Sequence, residues 1–469
     1  MSKQYFGIVG LGVMGENLAL NIESRGFSVV GFDLDGKKVD NFGKRTQGKQ
    51  VVAARSMAEF VANLESPRRV LMMVPAGKAV DAVVADLRPH LAPGDLLIDG
   101  GNTLFADTTR RIKELEGSGI LYIGAGVSGG EEGALHGPSI MPGGNPEAWP
   151  LVKSVLQAIS AKAEDGAPCC EWIGSGGAGH FVKMVHNGIE YGDMQMICEA
   201  YWLMARLLGM NADQMSRIFT DWNQGELSSY LVSITADILA KKDSETGKPM
   251  VDVILDTAEQ KGTGKWTSQI ALDLGVCAPT IADAVFARTI SAVKQERVAA
   301  SKVITGPSHS FQGDRQAFVE SIRRALFASK ICSYAQGFQL LRAADQEYHW
   351  DLQYGTIASL WRAGCIIRAQ FLGKIKDAYD KSPKLANLLL DPYFSAVVSG
   401  YQTAWREVVS VAAVNGIPVP AFMSALAYFD GYRSENLPAN LLQGQRDYFG
   451  AHTYQRVDRE GKFHTHWID

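Results

Sequence analysis

The fold is decided by the stretch Gly10-Leu11-Gly12-Val13-Met14-Gly15, which follows the apolar run Tyr5–Val9 and opens a segment of helical composition. A GxGxxG pattern between a strand and a helix is typical of a dinucleotide-binding βαβ unit. Gly10 permits the tight turn, Gly12 lets a pyrophosphate approach the backbone, and Gly15 lets the helix pack closely on the strand. The helix N-terminus adds N–H donors and positive potential. The alternative is a tight turn that binds no ligand.

An acidic residue stands where this nucleotide fingerprint needs one. Asp33 follows the second predicted strand, Ser28–Phe32, and lies 18 positions after Gly15. A carboxylate there accepts hydrogen bonds from the adenosine ribose and repels a 2′-phosphate, which favours NAD over NADP. Two alternatives stay open, because Asp33 can be a solvated charge at a strand end and because Lys37 and Lys38 follow closely enough to bind a phosphate.

Short apolar runs alternate with helical segments through residues 1–177. Further predicted strands are Val70–Val74, Leu96–Ile98, Leu121–Ile123 and Glu171–Ile173. Short apolar runs that end in Gly, Pro or Asp are typical of strands buried on both faces of a parallel sheet. We therefore predict an α/β Rossmann-type N-terminal domain over residues 1–177.

The chain changes character after residue 177. Met184–Leu208 and Thr280–Ile304 are apolar on nearly every face, which indicates long helices buried in a bundle. We predict a large all-α helical domain over residues 178–434. A short C-terminal tail over residues 435–469 is polar, aromatic and His-containing, and cannot form its own core. We expect it either to be disordered or to pack on another surface.

Composition excludes several classes of protein. A chain of 469 residues is too long for a single ordinary hydrophobic core, so two or more domains are expected. The net charge of −4 gives no overall attraction to nucleic acid or to anionic membranes. Six cysteines without a CxxC pair favour a reducing compartment. No secretory leader or apolar run of ~18 residues is present, so we expect a cytoplasmic location. The nine histidines form no HxxxH and no zinc-type cluster, so no metal site is predicted.

The segment Lys183–Tyr191 places a polar stripe on an otherwise apolar predicted helix. Lys183, Asn187, Glu190 and Tyr191 fall at i, i+4, i+7 and i+8, with His186 at i+3, so they share one face. Such a stripe is expected to line a cleft, where a lysine and a carboxylate can serve as base and acid. From spacing alone, a surface stripe with a salt bridge is equally compatible with the sequence.

Glycine-rich turns follow the later strands, at Gly100-Gly101-Asn102, Val127-Ser128-Gly129-Gly130 and Ile140–Gly144. Ligands of open α/β sheets bind beyond the carboxyl ends of the strands, so Ser128 and these backbone N–H groups are candidate donors. Ordinary loop glycines are the alternative.

A second glycine-flexed run, Lys261-Gly262-Thr263-Gly264-Lys265-Trp266, lacks the four-residue spacer of a P-loop but can hold one phosphate. Arg288, Arg446 and His452 are further phosphate candidates, since a guanidinium donates two parallel hydrogen bonds. Each of them taken singly can also be an ordinary surface charge.

Taken together, these motifs resemble the decarboxylating 6-phosphogluconate dehydrogenase family from about residue 4 to the end of the chain. The resemblance is most specific in the runs from Lys183 to Asp193 and from Gln445 to His452. It extends to Gly10–Gly15, to Val127–Gly130 with the following Glu131–Ala134, to Gly177–Val182 and to Lys261–Trp266. The related β-hydroxyacid dehydrogenases share the first domain and a catalytic lysine, but they are shorter and lack the tail.

The resemblance implies the reaction. 6-Phospho-D-gluconate would be oxidatively decarboxylated to D-ribulose 5-phosphate and CO2 with reduction of NAD(P)+, as in the oxidative pentose phosphate pathway. Lys183 would be the general base at the C3 hydroxyl, and its protonated form would stabilise the enolate. Glu190 would be the general acid that protonates C1 of the enediol. No metal is expected, because a protonated lysine can replace a Lewis acid.

The resemblance also implies binding roles. The sugar acid would contact Asn102, Ser128, Gly129, Gly130, His186 and Asn187. Its phosphate would contact Tyr191, Lys261, Arg288, Arg446 and His452. The cofactor would contact Gly10, Leu11, Gly12, Val13, Met14, Gly15, Asp33, Leu34, Asp35, Val74, Pro75, Ala76 and Asn102. In this family the tail inserts into the neighbouring subunit, so Arg446 and His452 would act in trans and the protein would be a homodimer.

Two departures from the family pattern bear on the cofactor. NADP-dependent members usually carry Asn-Arg-Thr after the second strand, whereas this chain has Asp33-Leu34-Asp35 and lacks that arginine. Many members carry Ala in place of Gly12. Both departures favour NAD. The alternatives are a β-hydroxyacid dehydrogenase that acts on a smaller unphosphorylated acid, and a silent dinucleotide sensor, against which the intact Lys183 and Glu190 pair argues.

Overall fold

An eight-stranded sheet occupies the N-terminal part of the chain, in the order β3-β2-β1-β4-β5-β6-β7-β8. The coordinates are a computed structural model that describes residues 3–468, so Met1, Ser2 and Asp469 of the predicted terminal segments lie outside the described residues. All neighbouring strands are parallel except β6 and β7. The strands are β1 Phe6–Val9, β2 Val29–Phe32, β3 Val51–Ala53, β4 Arg69–Met72, β5 Leu96–Asp99, β6 Leu121–Ser128, β7 Ser139–Gly144 and β8 Gly174–Ser175.

Helices cover this sheet, and most of them lie in the connections between parallel strands. They are α1 Val13–Ser24, α2 Gly36–Arg45, α3 Met57–Ala62, α4 Lys78–Leu87, α5 Phe105–Leu115, α6 Gly130–His136 and α7 Trp149–Ile159. Strands β1, β2, β4 and β5 are buried at every position, as expected of strands covered on both faces. The predicted Rossmann-type fold of this part of the chain is confirmed.

One strand prediction and one turn prediction were wrong, and both errors lie at the last edge of the sheet. Glu171–Ile173 is not a strand, and the short strand β8 follows it at Gly174–Ser175. The glycine-rich stretch Ile140–Gly144, expected as a turn, belongs to β7 and pairs antiparallel with β6. Its glycines make room for a helix, because a Cβ on Gly143 would lie 2.5 Å from the backbone N of Gly179.

The rest of the chain is helical, as predicted. The helices are α8 Ala178–Arg206, α9 Ala212–Trp222, α10 Tyr230–Ala240, α11 Met250–Val253, α12 Thr263–Asp273, α13 Pro279–Ala292, α14 Lys294–Ala300, α15 Arg315–Tyr348, α16 Tyr354–Leu360, α17 Leu372–Lys381, α18 Pro392–Val414, α19 Pro420–Tyr432 and α20 Ala439–Gly450. No helix within residues 3–468 is long and apolar enough to cross a membrane.

Helices α8 and α15 form the centre of the helical part, and most of their residues are buried. Small residues let the two helices approach closely, since a Cβ on Gly337 of α15 would lie 2.5 Å from the side chain of Ile189 on α8. The single long helix predicted over Thr280–Ile304 is instead α13 followed by α14. The helix is interrupted at Val293, whose φ of −86° and ψ of 47° are not helical.

The tail is ordered by its own contacts. Helix α20 is followed by a turn and by a short antiparallel contact, in which the backbones of Tyr454 and Phe463 exchange hydrogen bonds of 2.9 and 2.8 Å. Asp447 is the one residue of α20 that is fully buried, whereas Leu441 and Phe449 are exposed. Of the two expectations for this segment, disorder was therefore wrong.

Candidate active site

Lys183 lies in the second turn of α8, where that helix crosses strand β6. Its side chain packs on Gly126, and a Cβ on this glycine would lie 2.3 Å from the Cβ of Lys183. The residue is 5% exposed. Burial lowers the pKa of Lys183, and the nearby Glu190 carboxylate opposes that shift. Burial therefore disfavours the charged ammonium form of Lys183, which the sequence pattern alone did not decide.

A hydrogen-bonded network surrounds the Lys183 amine. Its Nζ donates to Asn187 Oδ1 at 2.5 Å and lies 3.3 Å from His186 Nδ1. His186 Nε2 lies 3.4 Å from the hydroxyl of Ser128, at the end of β6. Asn187 Nδ2 donates to the hydroxyl of Thr263 at 3.3 Å. The network therefore joins the carboxyl end of the sheet, helix α8 and the start of helix α12.

His186 is the most deeply buried member of this network. Burial and the neighbouring Lys183 hold the pKa of His186 well below its usual value. The imidazole is therefore neutral near pH 7 and offers one donor and one acceptor nitrogen. It acts as a fixed hydrogen-bonding group between Ser128 and Lys183 rather than as a charge.

Glu190 lies two turns beyond Lys183 on the same face of α8. Its side chain keeps 20% exposure, and its Oε2 lies 3.8 Å from His186 Nδ1. Burial raises the pKa of Glu190, while Lys183 and Arg288 lower it by attraction. The same desolvation thus favours a neutral amine and a protonated carboxyl, which is the pairing that general base and acid chemistry requires.

Tyr191, Arg288 and the turn before α12 meet beside this cluster. The Arg288 guanidinium lies 3.5 Å above the Tyr191 ring and donates to the Glu259 carbonyl at 3.2 Å. Gly264 allows the close approach, because a Cβ there would lie 2.5 Å from the tyrosine ring. Lys261 is exposed just before the helix. These residues line one end of the candidate site, where Lys261 and Arg288 provide positive charge.

Arg446 and His452 are not brought to this cluster within one chain. Arg446 is exposed and donates to Gln443 at 3.2 Å, on its own helix. His452 packs edge-on against Phe449 with ring centroids 5.8 Å apart. Within residues 3–468, no hydrogen bond or ion pair joins either side chain to Lys183, Glu190 or their neighbours.

The glycine-rich loop has the shape that a dinucleotide needs. Gly10 has a φ of +98°, and a Cβ on Gly15 would lie 1.9 Å from the Gly10 carbonyl oxygen. A Cβ on Gly12 would meet nothing within 4 Å, so the loop is open on the side where a pyrophosphate binds. Val13 is exposed beside it, and Leu11 and Met14 flank it. These residues fit the predicted cofactor.

Asp33 is tied to the glycine loop. Its Oδ2 accepts from the Leu11 N–H at 2.7 Å, and its Oδ1 accepts from the Asp35 N–H at 2.9 Å. Lys38 Nζ lies 3.4 Å from Asp33 Oδ2. Leu34 is 85% exposed, and Asp35 caps helix α2. The carboxylate is therefore held at the rim where an adenosine ribose lies in this type of fold.

Sequence reasoning missed Arg111, a fully buried residue of α5 that holds together two of the loops at the carboxyl ends of the strands. Its Nη2 donates to the Gly77 carbonyl at 3.0 Å, and its Nη1 donates to Asp99 at 3.2 Å. Asp99 in turn accepts from the Gly101 N–H at 3.0 Å. Arg111 thus joins the loop that contains Val74, Pro75 and Ala76 to the loop that contains Asn102. Nothing local in the sequence marks it.

Thr263 lies within the glycine-flexed run at residues 261–266 but was not among the predicted site residues. It is buried at the first position of α12 and accepts the hydrogen bond from Asn187. A hydroxyl two positions after Lys261 at a helix N-terminus is the signal that the sequence offered.

For metals, no group of three or more His, Cys, Asp or Glu residues within 3–468 is arranged to hold an ion, and metal independence stays a prediction.

A parallel sheet with this glycine loop, followed by a helical domain that opens with a buried lysine, defines a nicotinamide-dependent dehydrogenase. Comparison with known families agrees. Residues 5–174 match the NAD binding domain of 6-phosphogluconate dehydrogenase, and residues 179–467 match the 6-phosphogluconate dehydrogenase C-terminal domain. The chain therefore belongs to the 6-phosphogluconate dehydrogenase family and is an enzyme of the decarboxylating type.

Individual relatives match over their whole length. The chain is 61% identical to the NADP(+)-dependent, decarboxylating 6-phosphogluconate dehydrogenase of Bacillus subtilis (strain 168), with 100% of both chains covered. It is 59% identical to the decarboxylating enzyme of Escherichia coli (strain K12), again over 100% of both. The Plasmodium falciparum 6-phosphogluconate dehydrogenase, solved as apo form and with NADP+ or 6-phosphogluconate, superposes with a TM-score of 0.94 at 44% identity, over 99% of this chain and 100% of that one.

Proposed function

We propose that this chain catalyses the oxidative decarboxylation of 6-phospho-D-gluconate to D-ribulose 5-phosphate and CO2, with reduction of NAD(P)+ and without a metal. The observation that carries the proposal is the Lys183 and Glu190 pair. The two side chains lie on one face of α8, and burial shifts their pKa values in opposite directions. The substrates and activities in the names of the relatives support the choice of substrate.

The proposed chemistry assigns each proton to a named group. A bound nicotinamide supplies the hydride acceptor at the carboxyl end of the sheet. Neutral Lys183 would take the proton of the C3 hydroxyl while the hydrogen on C3 leaves as hydride to that acceptor, and the product would be a β-keto acid. When the C1 carboxylate departs as CO2, its bonding electrons move toward the C3 oxygen, and the Lys183 ammonium stabilises that developing charge. Glu190 then donates its proton to the carbon that becomes C1 of ribulose 5-phosphate.

Binding of the substrate follows the same geometry. We place the sugar acid against Asn102, Ser128, Gly129, Gly130, His186 and Asn187, and its phosphate against Tyr191, Lys261 and Arg288. The contact of Arg288 with Tyr191 supports this, because it orients the guanidinium beside the Lys183 network. Arg446 and His452 would complete the phosphate site from the neighbouring subunit, which accounts for their separation from the cluster within one chain.

A homodimer with an exchanged tail is supported by exposed apolar surface. An apolar groove of about 770 Å³ lies along α20, where Leu441 and Phe449 are exposed. Phe286 and Ile290 of α13 are also exposed, together with Val303 and Ile304 beyond α14. An exposed apolar groove such as the one along α20 is typical of association sites. We also propose three domains or segments: the dinucleotide-binding domain at residues 1–177, the helical substrate and dimerisation domain at 178–434, and the exchanged tail at 435–469. We further propose a cytoplasmic location.

For the cofactor we propose a preference for NAD. The fixed Asp33 carboxylate supports it, because a negative charge repels a 2′-phosphate. Leu34 stands where NADP-dependent members of the family have arginine. The Bacillus subtilis relative is named NADP(+)-dependent, so the local exchange at residues 33–35 is the feature under test.

Initial rates with 6-phosphogluconate and each cofactor, with CO2 measured alongside, test the proposal. We expect one CO2 for each cofactor reduced and a higher kcat/KM with NAD+ than with NADP+. Oxidation without CO2 release would favour a β-hydroxyacid dehydrogenase instead. Cofactor binding without any turnover would favour a dinucleotide sensor.

A further inference from the structure

Asp447 is a buried carboxylate in the middle of the tail. Its Oδ1 accepts from the Thr453 N–H at 3.0 Å and from His464 Nδ1 at 2.9 Å. Its Oδ2 accepts from the Thr465 N–H at 3.0 Å and from Trp467 Nε1 at 2.9 Å. One side chain therefore joins the end of α20, the turn after it and the last residues of the described chain. A carboxylate that is fully satisfied in this way fixes its partners strongly.

The turn that Asp447 holds contains His452. Ala451 and Thr453, on either side of it, have φ values of 49° and 61°. Residues other than glycine rarely adopt the left-handed region, and a β-branched residue does so least readily. The Ala451 N–H donates to the backbone carbonyl of residue 447 at 2.9 Å, and only the Thr453 N–H donates to the Asp447 carboxylate. The conformation of His452 thus depends on residue 447.

Further contacts within the tail reinforce the same turn. Gln443 Nε2 donates to the Thr453 carbonyl at 2.6 Å, and the hydroxyls of Tyr454 and Thr465 form a hydrogen bond. Arg446, next to Asp447 on the helix, points its guanidinium to the exposed side. The tail is therefore a preformed unit that presents Arg446 and His452 outward.

We propose that Asp447 is a positioning residue for phosphate recognition. It holds the tail in the shape in which Arg446 and His452 reach the phosphate group of a substrate bound to the neighbouring subunit. The inference rests on the proposed function, in which these two side chains act in trans. It adds that their geometry is set within the donating tail, by a carboxylate that touches neither substrate nor cofactor.

Asp447→Asn tests this role, because the amide keeps the size of the side chain but turns one acceptor into a donor that faces N–H groups. We expect the KM for 6-phosphogluconate to rise about tenfold or more, with kcat within about threefold and the KM for NAD+ unchanged. Asp458→Asn is the matched control, since Asp458 is exposed in the same tail and pairs with Arg456, and it should change none of these values. An unchanged substrate KM in Asp447→Asn, or an equal rise in both KM values, overturns the proposal.

His464→Gln keeps the test decisive if Asp447→Asn does not fold. It alters a single donor to Asp447, so a smaller rise in the substrate KM alone is expected. A substrate KM equal to that of the unmodified enzyme would overturn the positioning role.

A mixed dimer separates the inference from the proposed function. One subunit carries Lys183→Ala and the other carries Asp447→Asn, with different affinity tags for isolation. If tails act in trans, the single active site receives an unmodified tail, and its substrate KM equals that of the unmodified enzyme. A KM as high as in the Asp447→Asn homodimer places the tail in its own subunit and overturns the trans arrangement. An unchanged KM in that homodimer overturns the role of Asp447 and leaves the proposed function standing.

Discussion

The two ends of the candidate site are built in different ways. Around Lys183, the polar contacts come from one chain, and Lys183 and His186 are buried among them. At the proposed phosphate end, Lys261 is exposed, Arg288 is half-buried, and Arg446 lies on a separate tail. The proposed proton-transfer groups are therefore brought together by the fold of the single chain. The proposed phosphate ligands Arg446 and His452, in contrast, are not brought to the site within one chain.

This contrast matches the needs of the two tasks. Proton transfer requires pKa values shifted from their solution values, and burial produces such shifts in Lys183 and Glu190. A phosphate dianion is bound by cationic side chains that have no other partner. Such side chains can remain hydrated until the substrate binds, so they need not be buried. Changes at the buried end should therefore alter kcat or stability, and changes at the exposed end should alter KM.

The largest effect is expected for Lys183→Ala. Loss of the base should lower kcat by about 10²–10⁴-fold, while the affinity for the cofactor, measured by fluorescence titration, stays within about twofold. Lys113→Ala, at an exposed lysine of α5, is the matched control. A near-normal kcat in Lys183→Ala would refute the assignment of the base.

Lys330→Met tests how far the buried end depends on its supporting charges. Lys330 is hydrogen-bonded to Asp193, one turn beyond Glu190, and both are buried. Removal of the lysine leaves the buried Asp193 carboxylate without a cation, with only the Tyr334 hydroxyl donating to it, and should lower the free energy of unfolding by ~3–5 kcal/mol. Urea denaturation at fixed protein concentration measures this. Asp193→Leu combined with Lys330→Met should recover most of the loss, and a single variant as stable as the unmodified protein would contradict the account.

Arg446→Ala probes the exposed end. Loss of charge-assisted hydrogen bonds worth ~1.5–3 kcal/mol should raise the KM for 6-phosphogluconate by about 10–100-fold and leave kcat nearly unchanged. Steady-state kinetics measure both values. Lys462→Ala, at an exposed tail lysine, should have no effect. A fall in kcat without a change in KM would reverse the contrast between the two ends.

Asp33→Asn combined with Leu34→Arg addresses the cofactor rim, which is also exposed. A guanidinium in place of an exposed leucine can bind a 2′-phosphate, and the amide no longer repels it. The ratio of kcat/KM for NADP+ to that for NAD+ should rise about tenfold or more. An unchanged ratio would count against the role given to Asp33.

The smallest effect is a shift in the pH profile of Glu190→Gln. The Glu190 carboxylate raises the pKa of Lys183 by attraction, so its removal lowers that pKa further. Lys183 then stays unprotonated to lower pH, and the acid limb of the kcat/KM profile should move to lower pH. The remaining activity of the variant is sufficient for this measurement if acid catalysis contributes about 10²–10⁴-fold. An acid limb that does not move, or that moves to higher pH, would contradict an attraction between the two groups.

Local patterns predicted much of this molecule. The glycine loop at residues 10–15 and the stripe on α8 were recognisable because helix and strand periodicity place their residues without reference to the rest of the chain. Whether the stripe faced solvent or a cleft was open, and it is decided by Gly126, a residue far away in sequence. Arg111 and Asp447 escaped prediction for the same reason. Their roles arise from partners that only the folded chain supplies.

In the proposed reaction, Lys183 and Glu190 face the same substrate beside the nicotinamide. A crystal structure with NAD+ and 6-phosphogluconate tests it most directly. We expect Lys183 Nζ within about 2.6–3.2 Å of the C3 hydroxyl oxygen, with the Glu190 carboxyl beside the substrate carbon chain. A complex in which Lys183 and Glu190 point away from the substrate would contradict the account.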